Sequence, residues 1–552
     1  MASLPRGFSK PGEPPFDGVG GSLRRLVFTS DHRLIGLQYL WLALFSVLLG
    51  MALSFLMRVH LLWPNAFPGF LGGIGETPSR YVALTLLHGS LMIFFVLTAA
   101  PQAGFGNFLL PLQIGAREVA FPTLNAAALW AAGASLVGMV AAFFAATQSA
   151  MNIWLISVAV FCLSSLLVAI NFSVTVIDLR APGMTLPRLP VTVWAWFINA
   201  ILGTLIFSIL LAACAFLLSD SLLGTQFFRS ATGGSIIDGQ CLFWFFAQAE
   251  VYVAMLPCFG IVTHLLAVLT RRPVWKERAV VLALCCVGLF GFCFWGYHMF
   301  AAGMDPRSPM FFGMLAASLG LPALMLLASW FAMLWNAQLR LTTSMLFVLG
   351  FISLFLSGGI SGLFLSRNDV TSVASADDLV TGHFHLVMGV AATFAILASL
   401  FHWFPRMFDR RLNERLGKIH FWLTFAGVYC VFMPMHWLGL LARTPLSPYS
   451  AAVVGGLRTL VSVAALATIA AQILFFVNLV GTLWRGERLR DANPWRAATL
   501  EWRSAVHSAA DSQPHPVVVY RGAYVCDAEG SDDFIPQYIP RDSTAPRFIA
   551  PQ

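Results

Sequence analysis

The 552 residues are 58% hydrophobic and 11% charged, with mean hydropathy +0.78; a soluble domain carries about 25% charged residues. That balance excludes a water-soluble globular enzyme. The net charge of +8 does not point to nucleic acid, because the basic residues lie in the loops between apolar runs.

Apolar runs of roughly 20 residues, each enough to cross about 30 Å of hydrocarbon, recur along the chain. After a Pro-, Gly- and charge-containing segment (1–33), which has no apolar stretch suited to a cleavable signal peptide, they predict twelve spans. These are 34–57, 82–110, 120–146, 153–177, 192–218, 239–268, 278–302, 308–336, 342–366, 380–404, 418–441 and 455–485. Residues 486–552 are polar and read as a tail. The expected fold is an all-α, twelve-transmembrane-helix bundle in one membrane domain, 34–485. An even span count puts both termini on one side of the bilayer. The loops on that side, with the N-terminal segment, carry 18 Lys/Arg against seven on the other, so both termini are expected in the cytoplasm. Thirty of the 33 basic residues are Arg, which suits a GC-rich bacterial gene and hence a bacterial inner membrane. The nine Cys show no CxxC spacing and read as small core hydrophobes.

Twelve spans alone also suit a transporter, so what lies at mid-membrane depth decides. Span 6 contains WFFAQAEVYVAML, with Gln248, Glu250 and Tyr252 at even spacing. An ionisable group at that depth costs about 3 kcal/mol on insertion scales and marks a pathway or a site. Span 10 contains TGHFHLVMG. At 100° per residue, His383 and His385 point about 200° apart, so they cannot share one small ion but could each hold a large cofactor on either flank of the helix. A lone buried His is more often a satisfied core residue; two in one apolar span favour ligation, and imidazole is the usual haem ligand. His88, in LLHGSLMIFF of span 2, makes a bis-imidazole haem feasible with one of the span 10 pair.

The motifs HGSLMIFFVLT, GFGNFLLPLQIGA, AFPTLN, INF followed by RAPGMT, FWFF-x-x-x-EVY, HMF-x-x-GMD, HFH-x-VM, NERLGKIHFW and NPWRAATLEW together resemble subunit I of the haem–copper oxidases, in the cytochrome c oxidase branch. The similarity runs in unbroken order over roughly residues 30–505. It implies two haems: a low-spin one between His88 and His385, and a high-spin one on His383. Arg58 matches an arginine beside the low-spin haem, although a snorkelling charge is an equal reading. The resemblance also implies a proton route that enters at Glu118, passes Asn107 and Asn125, and reaches Glu250 as a relay acid or hydrogen-bond donor. Tyr252 matches the tyrosine of the oxygen-reducing site.

The chain departs from the family at the copper ion, which three histidines hold there. The first opens a His-Pro-Glu-Val-Tyr motif, where this chain has Gln248-Ala249-Glu250-Val251-Tyr252. The others are an adjacent pair, here Tyr297-His298. Gln and Tyr are poor copper ligands, and Gln248 has no ring nitrogen for the family's cross-link to the tyrosine. The site is expected to lack copper; a harder ion such as iron on the mixed Gln/Tyr/His set is the minor alternative. Leu326 and Ala323 stand where a second proton route carries Lys and Thr. Ser375 and Ala376 replace the magnesium-site His-Asp, so magnesium is expected to be absent. Pro445 and Leu446 stand where two propionate-binding arginines fall, with Arg443 a possible stand-in.

The leading expectation is a respiratory haem electron-transfer subunit, for which four-electron O2 reduction is in doubt. Alternatives are a small-gas reductase, for nitric oxide for example, with an altered distal metal, and a catalytically silent regulatory or assembly paralogue. A transporter is disfavoured by the haem histidines. A subunit II-like electron-entry partner is implied, because no Cys/His copper cluster is present. A subunit III-like partner and cytochrome c or a similar donor follow from the family.

Overall fold

The computed structural model describes residues 27–63, 78–145, 147–230, 233–302, 308–365, 378–441, 448–489, 491, 493–503, 517–526 and 534–538. Twelve long apolar helices account for most of them: α1 (His32–Leu62), α2 (Tyr81–Ile114), α3 (Pro122–Phe144), α4 (Ser149–Asp178), α5 (Val191–Leu222) and α6 (Ile236–Thr270), then α7 (Glu277–Met299), α8 (Met310–Leu334), α9 (Thr343–Leu365), α10 (Asp378–Phe408), α11 (Glu414–Leu441) and α12 (Ala451–Arg485). Each matches a predicted span to within a few residues. In hydrocarbon a helix satisfies its own backbone, which is why apolar length alone foretells it. Among the described residues the only β pairing is three isolated bridges.

The helix ends have local causes. The Asp31 carboxylate accepts from the Arg33 amide at 2.8 Å and caps α1. The Ser235 hydroxyl accepts from Asp238 N at 3.2 Å and caps α6. Gly115, at φ 74°, ends α2 in the left-handed region and turns the chain into the loop that carries Glu118.

Sequence neighbours pack side by side, and α6 runs through the middle against α2, α5, α7, α9 and α10. Within its most apolar window 94% of residues are buried, against 17% for α1. Groups projecting from α6 are therefore enclosed by protein.

Two helices carry wide i→i+5 turns, at Leu91–Phe105 in α2 and His385–Gly389 in α10. Such turns gather at functional sites. The first contains Pro101, whose carbonyl accepts from Trp196 Nε1 at 2.9 Å.

Parts of the predicted tail lie against the end of the bundle where the termini emerge. Arg271 donates to the carbonyls of Trp495 and Arg496 at 2.5 and 2.9 Å, and Trp495 Nε1 donates to the His402 carbonyl at 2.8 Å. Val519 N donates to the Pro182 carbonyl at 2.8 Å. Beneath them a buried network joins α2, α5 and α6 to the tail. His264 Nε2 lies 3.3 Å from Glu501 Oε1, both side chains fully enclosed. Gln113 donates to the same oxygen at 3.2 Å, and the Tyr524 hydroxyl sits 2.9 Å from His264 Nδ1. Burial pushes the Glu501 carboxyl up, but hydrogen bonding and charge from His264, with the backbone and Thr499, outweigh it and hold it below the usual range.

Candidate functional site

Four imidazoles in the half of the bundle away from the termini, those of His88, His383, His385 and His436, turn Nδ1 to a backbone carbonyl. His88 Nδ1 lies 2.9 Å from the Gly50 carbonyl of α1. His385 Nδ1 lies 2.8 Å from the Thr381 carbonyl one turn back. His383 Nδ1 lies 3.0 Å from both the Gly358 carbonyl and the Ser361 hydroxyl of α9. A carbonyl only accepts, so each Nδ1 carries the hydrogen and each Nε2 presents its lone pair. Second-shell carbonyls of this kind fix the ring for a metal.

The rings of His88, His383 and His385 lie deep in the protein yet keep accessible surface. His383 faces α9. His385 turns the other way, stacked on Phe432 of α11 at 4.6 Å and 11°, with His88 and Arg58 within electrostatic reach. The two therefore occupy opposite flanks of α10. Arg58 is half-buried, within electrostatic reach of His88, Tyr81 and Asp378. An apolar cavity of about 110 Å³ opens beside Met51, next to Gly50, and runs between α1, α2, α10 and α12 with Gln472 and Thr393 its only polar lining residues. Nε2 lone pairs presented on both flanks of α10 fit haem iron.

The four-residue distal set is arranged differently. Gln248 on α6 and His298 at the end of α7 meet at 2.5 Å, Nε2 to Oε1. An amide oxygen only accepts, so His298 carries its hydrogen on Nε2, the reverse of those four rings. Trp244 stacks on the His298 ring at 4.0 Å and 11°. The Tyr297 hydroxyl donates to the Leu365 carbonyl of α9. Tyr252 lies one turn beyond Gln248 on the same helix, its ring meeting Phe294 edge-on at 5.9 Å. This donor set does not fit copper: one imidazole nitrogen is spent on an amide and one phenol on the backbone. Among the described residues no group of three or more His, Cys, Asp or Glu could hold a metal ion. Leu326 is fully buried on α8, an apolar side chain that carries no proton. Ser375, Ala376, Arg443, Pro445 and Leu446 lie outside the described residues.

On the opposite face of α6, Glu250 accepts from the Thr98 hydroxyl on the wide-turn stretch of α2; its other carboxyl oxygen is buried without a hydrogen bond. At the terminal end of the bundle Glu118 Oε1 accepts from His32 N at 3.1 Å and Val119 N at 3.3 Å, and burial pushes its carboxyl up from the usual range. His32 Nδ1 lies 2.7 Å from the Asn107 carbonyl, and Asn125 donates to the Asn107 side chain at 2.7 Å. Sequence reasoning missed the groups farther along. Asn171 braces Phe121 through its amide, the Tyr39 and Ser164 hydroxyls lie 3.3 Å apart, and Asn199 donates to Gln102 at 2.9 Å. A cavity of about 20 Å³ lies among Tyr39, Thr98, Gln102, Ser164, Ser165 and Asn199, room for one water. Their only sequence signal was a polar residue in an apolar span. His436 was also passed over; it sits near His383, with Nδ1 2.7 Å from the Phe432 carbonyl.

A family model for cytochrome c and quinol oxidase polypeptide I matches residues 34–470. The chain is 36% identical to an alternative cytochrome c oxidase subunit 1 of Bradyrhizobium diazoefficiens, over 96% of this chain and 95% of that one. It is 34% identical to cytochrome c oxidase subunit 1 of Thermostichus vulcanus, over 90% and 92%, and 33% identical to that of Cereibacter sphaeroides, over 87% and 93%. Its fold matches a haem–copper terminal oxidase dimer solved by cryo-electron microscopy, with TM-score 0.67 and 18% identity over 83% of this chain and 85% of that one. With the sequence match spanning nearly every helix and the fold agreeing, the chain is a multi-pass membrane protein that belongs to the haem-binding family of cytochrome c and quinol oxidase polypeptide I.

Proposed function

We propose that this chain is a respiratory electron-transfer subunit that keeps both haems of its family and has given up the copper ion. His88 and His385 hold a low-spin haem, with Arg58 beside it, and His383 holds a high-spin haem on the other flank of α10. When bound, the haems supply one-electron iron chemistry. The observation that carries the reading is placement joined to protonation: His383 and His385 present Nε2 lone pairs on opposite flanks of α10, with His88 on the side of His385, and His298 gives its Nε2 hydrogen to Gln248.

The chain's own residues do two things around those haems. The carbonyls of Gly50, Thr381 and Gly358 fix the ring tautomers. The row from Glu118 through Asn107 and Asn125 to Tyr39, Ser164, Thr98 and Glu250 offers protons a path from the terminal end to mid-membrane depth. Glu250 is committed to Thr98 on the face away from Gln248, which disfavours a carboxylate-ligated distal metal of the kind a nitric oxide reductase would need. The magnesium position lacks its His-Asp pair, so that ion is absent as well.

The excess of Lys/Arg on the terminal side supports cytoplasmic termini in a bacterial inner membrane. A subunit II-like partner brings electrons from cytochrome c or a similar donor, and a subunit III-like partner completes the complex. Oxidised and reduced optical spectra with a haem count test the core of this reading. Two haems per chain, only one of them reactive with carbon monoxide, are expected; a single haem, or none, would overturn it.

A further inference from the structure

Two enclosed indoles show how this protein treats a buried Nε1 hydrogen. Trp196 donates to the Pro101 carbonyl and Trp330 to the Thr263 hydroxyl, each at 2.9 Å, and both side chains are fully covered. A buried indole usually finds such a partner. Trp403 and Trp502 are as deeply enclosed, at 0% and 3% exposed, yet among the described residues nothing accepts from either Nε1.

The two exceptions share a neighbour. The His402 ring lies edge-on to Trp403 at 5.1 Å and to Trp502 at 5.4 Å. It is fully buried, and neither of its nitrogens has a partner among the described residues. Trp403 also stacks on His264 at 5.7 Å, the ring whose Nε2 approaches Glu501 Oε1 at 3.3 Å. Gln113 donates to that same oxygen. The other carboxyl oxygen, Oε2, is buried with no hydrogen bond among the described residues. Five unpaired polar atoms thus collect where α6, α10 and the tail meet. They are two indole donors, one carboxyl acceptor, and an imidazole that offers one of each when neutral.

Leaving such atoms dry in one place is costly. An anion would face the Glu501 oxygen, and a cation would face the indole hydrogens. Among the described residues no group of three or more His, Cys, Asp or Glu could hold a metal ion. Water both donates and accepts, and it is the partner that buried polar groups commonly use. We propose that trapped water sits among His402, Trp403, Glu501 and Trp502, accepting from both indoles and donating to Glu501 Oε2. It forms a hydrated carboxylate site at the terminal end of the bundle, apart from the row that begins at Glu118. Glu501 and Trp502 belong to the tail, so the water is held only while the tail is seated. The site is a hydrated joint between tail and bundle, and it solvates the Glu501 charge inside the protein.

Radiolysis tests this, because hydroxyl radicals made from water in place oxidise an enclosed side chain where water is bound beside it. A brief X-ray exposure of the full-length, haem-loaded protein, followed by peptide mass spectrometry, reads each tryptophan. Trp403 and Trp502 should be oxidised several-fold more than the enclosed controls Trp196 and Trp330. Tyr524, a buried tail residue whose hydroxyl is bonded to His264 and Val191, should stay as low as the controls. In His402→Phe, which removes two of the five polar atoms, labelling of both indoles should fall; Trp196 and Trp330 show in the same sample whether that variant is folded. Wild-type labelling of Trp403 and Trp502 no higher than the controls overturns the proposal. So does equal labelling of Tyr524, which would mean that the tail had opened to bulk solvent.

Discussion

His298 donates its Nε2 hydrogen to Gln248 Oε1 across 2.5 Å, and this contact sets its ring apart from those of His88, His383 and His385. Where the rings of His88, His383 and His385 leave Nε2 with a lone pair, this ring carries its hydrogen there. Gln248 therefore does more than omit a ligand: it occupies the nitrogen of the one ligand that remains.

Restoring the imidazoles should reverse that. The double variant Gln248→His, Tyr297→His removes the amide acceptor and supplies three rings, and it should bind copper at up to one ion per chain when matured with copper. Elemental analysis of folded, haem-loaded protein is the check. No gain over the parent chain would mean that position and not chemistry excludes the metal.

The haem assignments separate by substitution. His88→Ala and His385→Ala should each abolish the low-spin spectrum and leave carbon monoxide binding. His383→Ala should abolish carbon monoxide binding and leave the low-spin signal. Paramagnetic resonance with a carbon monoxide difference spectrum distinguishes them, and loss of both signals in all three variants would argue against two independent sites.

Thr98 is the one side-chain hydrogen-bond partner of Glu250 among the described residues, and its hydroxyl also meets the Ile93 carbonyl at 2.8 Å. Thr98→Val keeps the shape and removes the hydroxyl, leaving the carboxyl oxygens unpaired at a cost of about 1–3 kcal/mol. Thermal unfolding in detergent should show the loss in Thr98→Val and its absence in Thr98→Ser. Equal effects would point to packing instead.

Acid should loosen the tail. The Glu501 carboxyl is held below its ordinary value, so its contribution is present above the unfolded value of about 4.3 and is lost as pH falls through the folded one. Hydrogen exchange across 517–526 should be slow at neutral pH and quicken below that window. Glu501→Ala, which takes the carboxylate from beside His264 and Gln113, should quicken exchange at neutral pH. A pH-independent profile would contradict the lock.

The helices were legible because span length and apolarity are local properties, and so was the placement of His88, His383 and His385 inside apolar spans. The opposed placement of His383 and His385 followed from helix geometry alone. Thr98 was not legible as a partner of Glu250. The stretch from Leu91 to Phe105 winds in wide turns, and an assumed 100° step places its side chains wrongly. Nor was the His264–Glu501 contact, since residues 237 positions apart share no local pattern. His436 looked like any single histidine in an apolar span until α11 was packed against α10. Gln248 read as a lost ligand; only the side-chain geometry made it an acceptor with a second use.

The account rests on two haems kept and one copper lost. Counting iron, copper and haem in the purified chain, freed of other copper-binding subunits, tests this most directly. The account predicts two haem irons and no copper above background; one copper per two haems, with the high-spin haem magnetically coupled to it, would contradict it.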